Sequence, residues 1–128
     1  MEASPSPFQY AIVRVVPHVE RGECVNAGGV LFCRPRRFLA ARVALDDARL
    51  LALAPDVDLD AVRRHLTALE RIAAGDPDAG PIAALPASDR FHWLVAPTST
   101  IIQCSPVHTG LSDDPAAELG HLMARLVS

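Results

Sequence analysis

The 128-residue sequence contains no lysine, and all twelve of its basic residues are arginine. Fifteen acidic residues outnumber them and give a formal net charge of −3, which argues against a protein-wide basic surface for nucleic acid. With one tryptophan, one tyrosine and four phenylalanines, few rings are available to stack on bases. The absence of lysine, beside abundant alanine, valine and proline, indicates a high-GC bacterial coding bias.

Long hydrophobic runs are also missing. No segment approaches the roughly 18 to 20 apolar residues that span a bilayer, and the first residues lack a basic region followed by an apolar stretch. We therefore expect a cytoplasmic protein that does not enter a membrane. Cys24, Cys33 and Cys104 make three cysteines, an odd number, and in a reducing compartment they are expected to be free thiols.

The sequence has no motif for a known cofactor, metal or nucleophile. The phosphate-binding GxxxxGK[ST] and GxGxxG patterns are absent, as are CxxC, HxH, HExxH and GxSxG. The cysteines and histidines therefore have no metal-ligand spacing. We assign no catalytic residue, no metal and no cofactor. Whether the chain is an enzyme is left uncertain, with the lack of a catalytic signature favouring a non-enzymatic role.

The patterns that are present predict a single α+β domain over residues 8–128, preceded by a disordered tail over 1–7. Apolar segments at 8–16, 25–33, 36–45, 90–95 and 100–105 are typical of strands. Helical spacing is clearest over 59–74, with Asp58 at its start and Gly75 at its end, and shorter helices are expected over 46–54 and after Asp113 or Asp114. The prediction is a mainly antiparallel sheet of four or five strands, packed by two or three helices.

The connection between the first two predicted strands is the best candidate site. Arg14 lies on an otherwise apolar strand face, and a buried arginine needs a carboxylate partner, for which Glu20 and Glu23 are nearest in sequence. Glycines in this region allow close approach of another backbone or a ligand. The candidate ligand- or partner-binding residues are Arg14, Glu20, Arg21, Glu23, Asn26 and Gly28.

Two interpretations of this charged turn remain open. It could bind a substrate or partner, or it could be a structural charge network that satisfies Arg14. We also predict that the turn over 20–28 meets the loops over 96–112 at one end of the sheet. Phe91, Trp93 and Val95 alternate on a predicted strand, where core packing is favoured over an aromatic patch for a partner.

The chain resembles the bacterial domain-of-unknown-function family 3037 over nearly its whole length. The residues that carry this resemblance are Tyr10, Arg14, Pro17, Arg21, Gly22, Glu23, Asn26 and Gly28, followed by Phe91, Trp93, Leu94, Pro97, Ile101, Ile102 and Gln103. The resemblance implies small stand-alone proteins without an assigned activity, some of them encoded beside HipA-like kinases. It carries no known mechanism.

We therefore expect an accessory role. The leading hypothesis is a non-enzymatic binding or regulatory protein that engages a cytoplasmic protein partner, with a HipA-like kinase as one candidate. The alternative is a small enzyme acting on a phosphate- or carboxylate-bearing substrate through the turn Glu20-Arg21-Gly22-Glu23. A homodimer is left open, because sequence alone does not separate an exposed apolar helix face from a core.

Overall fold

The computed structural model describes residues 4–98 and 100–127. These residues form the predicted single α+β domain, with five strands and with four α-helices in place of two or three. The strands are β1 (Ser6–Val15), β2 (Val25–Cys33), β3 (Phe38–Val43), β4 (Ile102–Cys104) and β5 (His108–Ser112). The helices are α1 (Asp47–Leu53), α2 (Leu59–Ala74), α3 (Ala87–Val95) and α4 (Pro115–Leu126).

The strands form one antiparallel sheet in the order β3-β2-β1-β4, with β5 also paired to β1. Strand β1 is thus central. It begins at Ser6, two residues before the predicted start. Ser6 and Pro7 therefore belong to the sheet and not to the tail predicted over 1–7. Residues 1–3 of that predicted tail lie outside the described part of the chain.

Strands β4 and β5 lie one after the other along the same edge of β1. Val13 to Val15 pair with β4, whereas Ser6 to Tyr10 pair with β5. Ser105, which is 3% exposed, lies between the two strands. Its Oγ accepts a hydrogen bond from the Ile12 amide at 2.8 Å, and its own amide donates to the Ile12 carbonyl at 2.8 Å. The backbone of β1 therefore stays paired where the two strands meet.

Helices cover both faces of the sheet, and β1 has apolar residues on both sides. The larger core joins one face to the helices α1, α2 and α3, and includes Val13, Val15, Val30, Phe32, Leu50, Leu66 and Phe91. The smaller core joins the opposite face to α4, and includes Phe8, Leu31, Cys33, Leu119, Leu122 and Met123. Strand β1 contributes residues to both cores.

Helix α2 has the predicted bounds and the predicted caps. The Asp58 carboxylate accepts a hydrogen bond from the Ala61 amide, which satisfies one free amide of the first turn. Gly75 ends the helix in the left-handed conformation, with φ of 73°. The cap predicted for α4 at Asp113 or Asp114 is confirmed at Asp114, and Asp46 caps α1 in the same way. Local sequence therefore determines these three helices.

The strand predicted over 90–95 is wrong, because these residues belong to α3. Phe91 and Leu94 are buried while Trp93 is 49% exposed, which is the three-residue spacing of a helix and not the alternation of a strand. Over a segment as short as 90–95, the helical and strand periods cannot be separated by pattern alone. A tertiary contact favours the helix here, because Phe91 packs on Phe32 with ring centroids 5.2 Å apart.

The last part of the loops predicted over 96–112 is a strand and not a loop, because residues 108–112 form β5. Four of its five residues are exposed or half-buried, and Leu111 is 69% exposed. An edge strand of this kind has no buried face along most of its length, so it lacks the alternation of polar and apolar residues by which strands are recognised.

Candidate functional site

The charged turn between β1 and β2 is a tight turn on the surface. The amides of Arg21 and Gly22 donate hydrogen bonds to the carbonyl of His18, at 2.9 and 3.2 Å. Gly22 has a φ of 75°, a left-handed conformation that glycine adopts without strain. The turn therefore carries its charged side chains at the surface, and Glu20 is exposed together with its neighbours over 18–24.

The ion pair that the sequence predicted for Arg14 is not formed. Arg21 Nε instead contacts Glu23 Oε1 at 2.6 Å, and these side chains are 65% and 47% exposed. Surface pairs of this kind contribute about 0–1 kcal/mol to stability. In the part of the chain that the structure describes, neither Glu20 nor Glu23 forms a salt bridge with Arg14. The turn is thus neither an open cluster of unpaired charges nor a network closed on Arg14.

Asn26 connects β2 to helix α4, and Gly28 lets β2 pack closely against β3. The Asn26 Nδ2 donates to the carbonyl of Leu126 at 2.9 Å, which satisfies a carbonyl at the end of α4. At Gly28, a Cβ atom would lie 2.5 Å from the carbonyl oxygen of Arg42 in β3. The close approach predicted here is therefore one of backbone to backbone. A register shift between β1 and β2 lies beside it, between Val13 and Arg14.

Arg14 is held at the centre of a polar row across the sheet. It lies opposite Asn26 of β2 on one side and opposite Gln103 of β4 on the other. Its Nε atom is buried, and within residues 4–98 and 100–127 it has no hydrogen-bond partner. An unsatisfied buried donor costs about 1–3 kcal/mol, more when the group is charged. Such an atom in a folded protein calls for an explanation.

The Arg14 side chain lines a surface cavity of about 260 Å³. The predicted meeting of the 20–28 turn with the later loops occurs here, because Gly22 and Cys24 lie on one side and Thr98 and Gln103 on the other. Arg14 is the only charged side chain among the described residues that line it. The full lining is Arg14, Val16, Val19, Gly22, Cys24, Thr98, Gln103 and Cys104. We call this cavity the Arg14 pocket.

Cys104, which is also among the lining residues of the Arg14 pocket, carries a neutral thiol. Burial raises the pKa of this thiol from 9.0 to about 11, against a smaller opposing effect of the Arg14 charge. The thiol lies 3.4 Å from the carbonyl oxygen of Leu94, to which it donates. At neutral pH, Cys104 is therefore protonated, and it does not balance the positive charge of Arg14.

We expect Cys104 to be alkylated slowly. With a pKa of about 11, on the order of 0.1% of this thiol is ionised at pH 8, and only the thiolate reacts. Its rate of reaction with iodoacetamide should rise about tenfold per pH unit between pH 8 and pH 10. Peptide mapping by mass spectrometry measures this rate, with the exposed Cys24 as the internal comparison. Modification of Cys104 as fast as Cys24 at pH 8 would contradict the burial described here.

A more apolar depression of about 340 Å³ lies against strand β4 on the side of helices α2 and α3. This depression and the Arg14 pocket have three lining residues in common, Thr98, Gln103 and Cys104. The remaining lining comes from α2, α3, the segment after α3 and β4, and consists of His65, Leu69, Trp93, Leu94, Ala96, Pro97, Thr100 and Ile102. We call it the Trp93 depression. A third and more open depression, of about 660 Å³, shares the same three residues and extends along Ser105, Pro106 and Val107.

Sequence reasoning found Arg14 but missed Thr98 and Gln103. Gln103 is far from Arg14 along the chain, and only the pairing of β1 with β4 places the two side by side. The signal that the sequence did contain is the charged residue on an apolar strand face.

Among the described residues, no group of three or more histidine, cysteine or acidic side chains is arranged to hold a metal ion. None of the described helices is long and apolar enough to span a membrane.

Comparison with known proteins places the chain in a family without an assigned function. No curated protein matches it significantly, and neither does any solved structure. A family model described as "Protein of unknown function (DUF3037)" matches residues 10–127. The match covers the whole sheet apart from the start of β1, all four helices and the Arg14 pocket. The chain therefore belongs to the DUF3037 family.

Proposed function

We propose that the protein is a non-enzymatic binding protein that holds a carboxylate or phosphate group in the Arg14 pocket. The observation that supports this most directly is the buried Nε of Arg14, which has no partner among the described residues and lies beside a cavity without a carboxylate. A bound anion would provide the missing acceptor. Because arginine presents its donors in a planar fork, it binds carboxylate and phosphate in a bidentate manner.

Neighbouring groups are suited to support an anion. Gln103 uses one amide hydrogen in a bond from Nε2 to the carbonyl of Thr100, at 2.8 Å, and a second amide hydrogen remains for a ligand. The hydroxyl of Thr98 adds another potential donor to the lining. Cys104 is neutral at physiological pH because its pKa is raised. A ligand anion therefore meets one positive charge and several neutral donors.

The enzymatic alternative has less support from the geometry. General acid–base catalysis requires a titratable group within hydrogen-bond reach of the substrate. Glu23 is paired with Arg21 in solvent, and neither Glu20 nor Glu23 is among the residues that line the Arg14 pocket. A small enzyme using the turn Glu20-Arg21-Gly22-Glu23 would need this turn to fold over the pocket when substrate binds.

The anionic group could belong to a protein partner or to a small molecule. A regulatory role with a cytoplasmic partner, and with a HipA-like kinase in particular, rests on the family resemblance and stays a prediction. It is tested by purifying the protein with its neighbouring gene products under native expression. If a stable complex is recovered and Arg14→Met abolishes it, the anionic group in the Arg14 pocket belongs to that protein partner.

The variant Arg14→Met tests the proposal through stability and binding together. Methionine fills a similar volume without an unpaired donor, so the free energy of unfolding should stay the same or rise by about 1 kcal/mol. Acetate and inorganic phosphate should perturb the NMR amide signals of β1 and β4 in the wild type, with a dissociation constant on the order of 1 mM, or about −4 kcal/mol. The variant should lose these perturbations.

Arg21→Met is the matched control, since it removes one positive charge from the adjacent turn. We expect its affinity for acetate to remain within about twofold of the wild type, because surface charges are screened by solvent and salt. Two results would overturn the proposal. One is a loss of more than about 2 kcal/mol of stability in Arg14→Met, which would make Arg14 structural. The other is the absence of any acetate or phosphate binding by the wild type.

A further inference from the structure

Strand β5 leaves one stretch of the sheet edge open. On this side of β1, both the amide and the carbonyl of Ile12 are hydrogen-bonded to Ser105. Opposite residues of an antiparallel pair alternate in their hydrogen bonding, so every second residue of β1 directs its backbone groups toward β5. Thr109 and Leu111 lie opposite the intervening residues. Their amides and carbonyls therefore point away from the sheet.

The other stretches of the sheet edge are covered by the chain itself. At the edge formed by β3, the amide of Val43 donates to Glu70 Oε2 at 3.2 Å, and helix α2 packs along the strand. Beside β4, the hydroxyl of Thr100 donates to the carbonyl of Ile102 at 2.8 Å. Among the described elements, β5 makes an extensive contact with β1 alone. The outer side of β5 is therefore the part of the edge without such cover.

The residues of β5 give this edge no protection against another strand. Natural proteins shield exposed edges with charged residues, proline or bulges. Strand β5 contains no acidic residue, arginine or proline, and it pairs with β1 without a register shift. Leu111 is 69% exposed, the largest exposed fraction of any large apolar side chain in the described residues. An edge with these properties is one to which a further strand adds.

We propose that β5 pairs with β5 of a second copy of the chain about a two-fold axis, which joins two five-stranded sheets into one. Such an interface is isologous, because the same surface is used on both copies. Antiparallel pairing places the start of one strand beside the end of the other. His108 begins β5, and the exposed Asp113 directly follows its end. An imidazole N–H therefore meets a carboxylate at both ends of the pair, which favours a second copy over an unrelated strand.

This pairing is independent of the Arg14 pocket. Arg14 lies opposite β4 and not opposite β5. It is four residues beyond Tyr10, the last residue of β1 that pairs with β5, which corresponds to about 13 Å along a strand. Arg14→Met should therefore form the pair as the wild type does. Failure of this proposal would leave the proposed function untouched, and the reverse also holds.

Sedimentation velocity measures the pairing. Two five-residue strands form a smaller contact than the standard interface of about 1,200–2,000 Å², so we expect a dissociation constant on the order of 10–100 μM. Between about 5 μM and about 500 μM, the sedimenting species should therefore change from one copy of the chain to two.

Leu111→Lys tests whether β5 is the surface used. It places two like charges close together across the pair, so the dissociation constant should rise at least about tenfold. Leu111 is 69% exposed, and the replacement is expected to leave the fold intact. Leu51→Lys is the matched control, since it makes the same change at a 37% exposed leucine of α1. Its dissociation constant should stay within about twofold of the wild type.

Hydrogen exchange of the wild type tests the same surface without a variant. The amides of Thr109 and Leu111 should exchange about threefold or more slowly at about 500 μM than at about 5 μM, because pairing removes them from water. The amide of Leu39, in β3 at the opposite edge, should exchange at the same rate at both concentrations.

Three results would overturn the proposal. One is a single copy at every concentration, which would leave the edge to a strand of another protein or to none. Another is a dimer that forms without slower exchange at Thr109 and Leu111, or that Leu111→Lys does not weaken, since it would use another surface. The third is growth beyond two copies, because an isologous pair closes at two. A dimer that shows both effects supports the proposal.

Discussion

Phe91→Ala should lower the free energy of unfolding by about 3–5 kcal/mol, which is the usual cost of removing a fully buried ring. Phe91 is 0% exposed and packs on Phe32 in the larger core. Trp93→Ala, two residues further along α3, should cost less than about 1 kcal/mol because its side chain is 49% exposed. Urea unfolding followed by circular dichroism measures both variants and does not depend on the tryptophan signal.

This pair of variants also tests the helical assignment of residues 87–95. In a strand, residues 91 and 93 would lie on the same face and the two replacements would have similar effects. In α3 they lie on different faces. Equal losses of stability would therefore contradict the helix and would favour the strand that the sequence predicted over 90–95.

Gly28→Ala should lower the free energy of unfolding by about 1–3 kcal/mol, because overpacking against a fixed neighbour is costly. A Cβ at this position would lie 2.5 Å from the backbone carbonyl oxygen of Arg42. Backbone cannot rotate away as a side chain can, so β2 and β3 would have to separate locally. Thermal or urea unfolding of the variant gives the loss directly.

Gly29→Ala is the matched control in the next position of the same strand. Its Cβ would meet the Leu119 Cδ1 at 3.5 Å and the Met123 Sδ at 3.7 Å, which are ordinary contacts with side chains of α4. We expect a change of less than about 1 kcal/mol for this variant. A larger loss for Gly29→Ala than for Gly28→Ala would contradict the register of β2 against β3.

The helices that the sequence predicted correctly are those with local signals. Helix α2 combines a long apolar stripe with Asp58 at its start and Gly75 at its end, and each signal lies within the segment itself. Strand β2 was also predicted with its observed bounds. In contrast, α3 depends on a contact between Phe91 and Phe32 that joins distant parts of the chain, so its short apolar alternation was misleading.

The candidate site was predictable only in part. A lone arginine on the apolar face of β1 indicated that Arg14 needs an anionic partner, and the structure agrees that the chain's own described residues leave its Nε unpaired. The sequence pointed to the nearest acidic residues, but Glu23 pairs with Arg21 instead. Gln103 could not be identified, because its position beside Arg14 depends on the register of β4 against β1, which is set by non-local pairing.

The most direct test of the account is a crystal structure of the protein grown with a saturating concentration of acetate. We predict a carboxylate in the Arg14 pocket, with one oxygen about 2.7–2.9 Å from Arg14 Nε, as expected for a charge-assisted hydrogen bond. Glu20 and Glu23 should remain on the surface. An Arg14 side chain paired with either of these residues, and a pocket without acetate, would contradict the central claim that Arg14 is kept for an external anion.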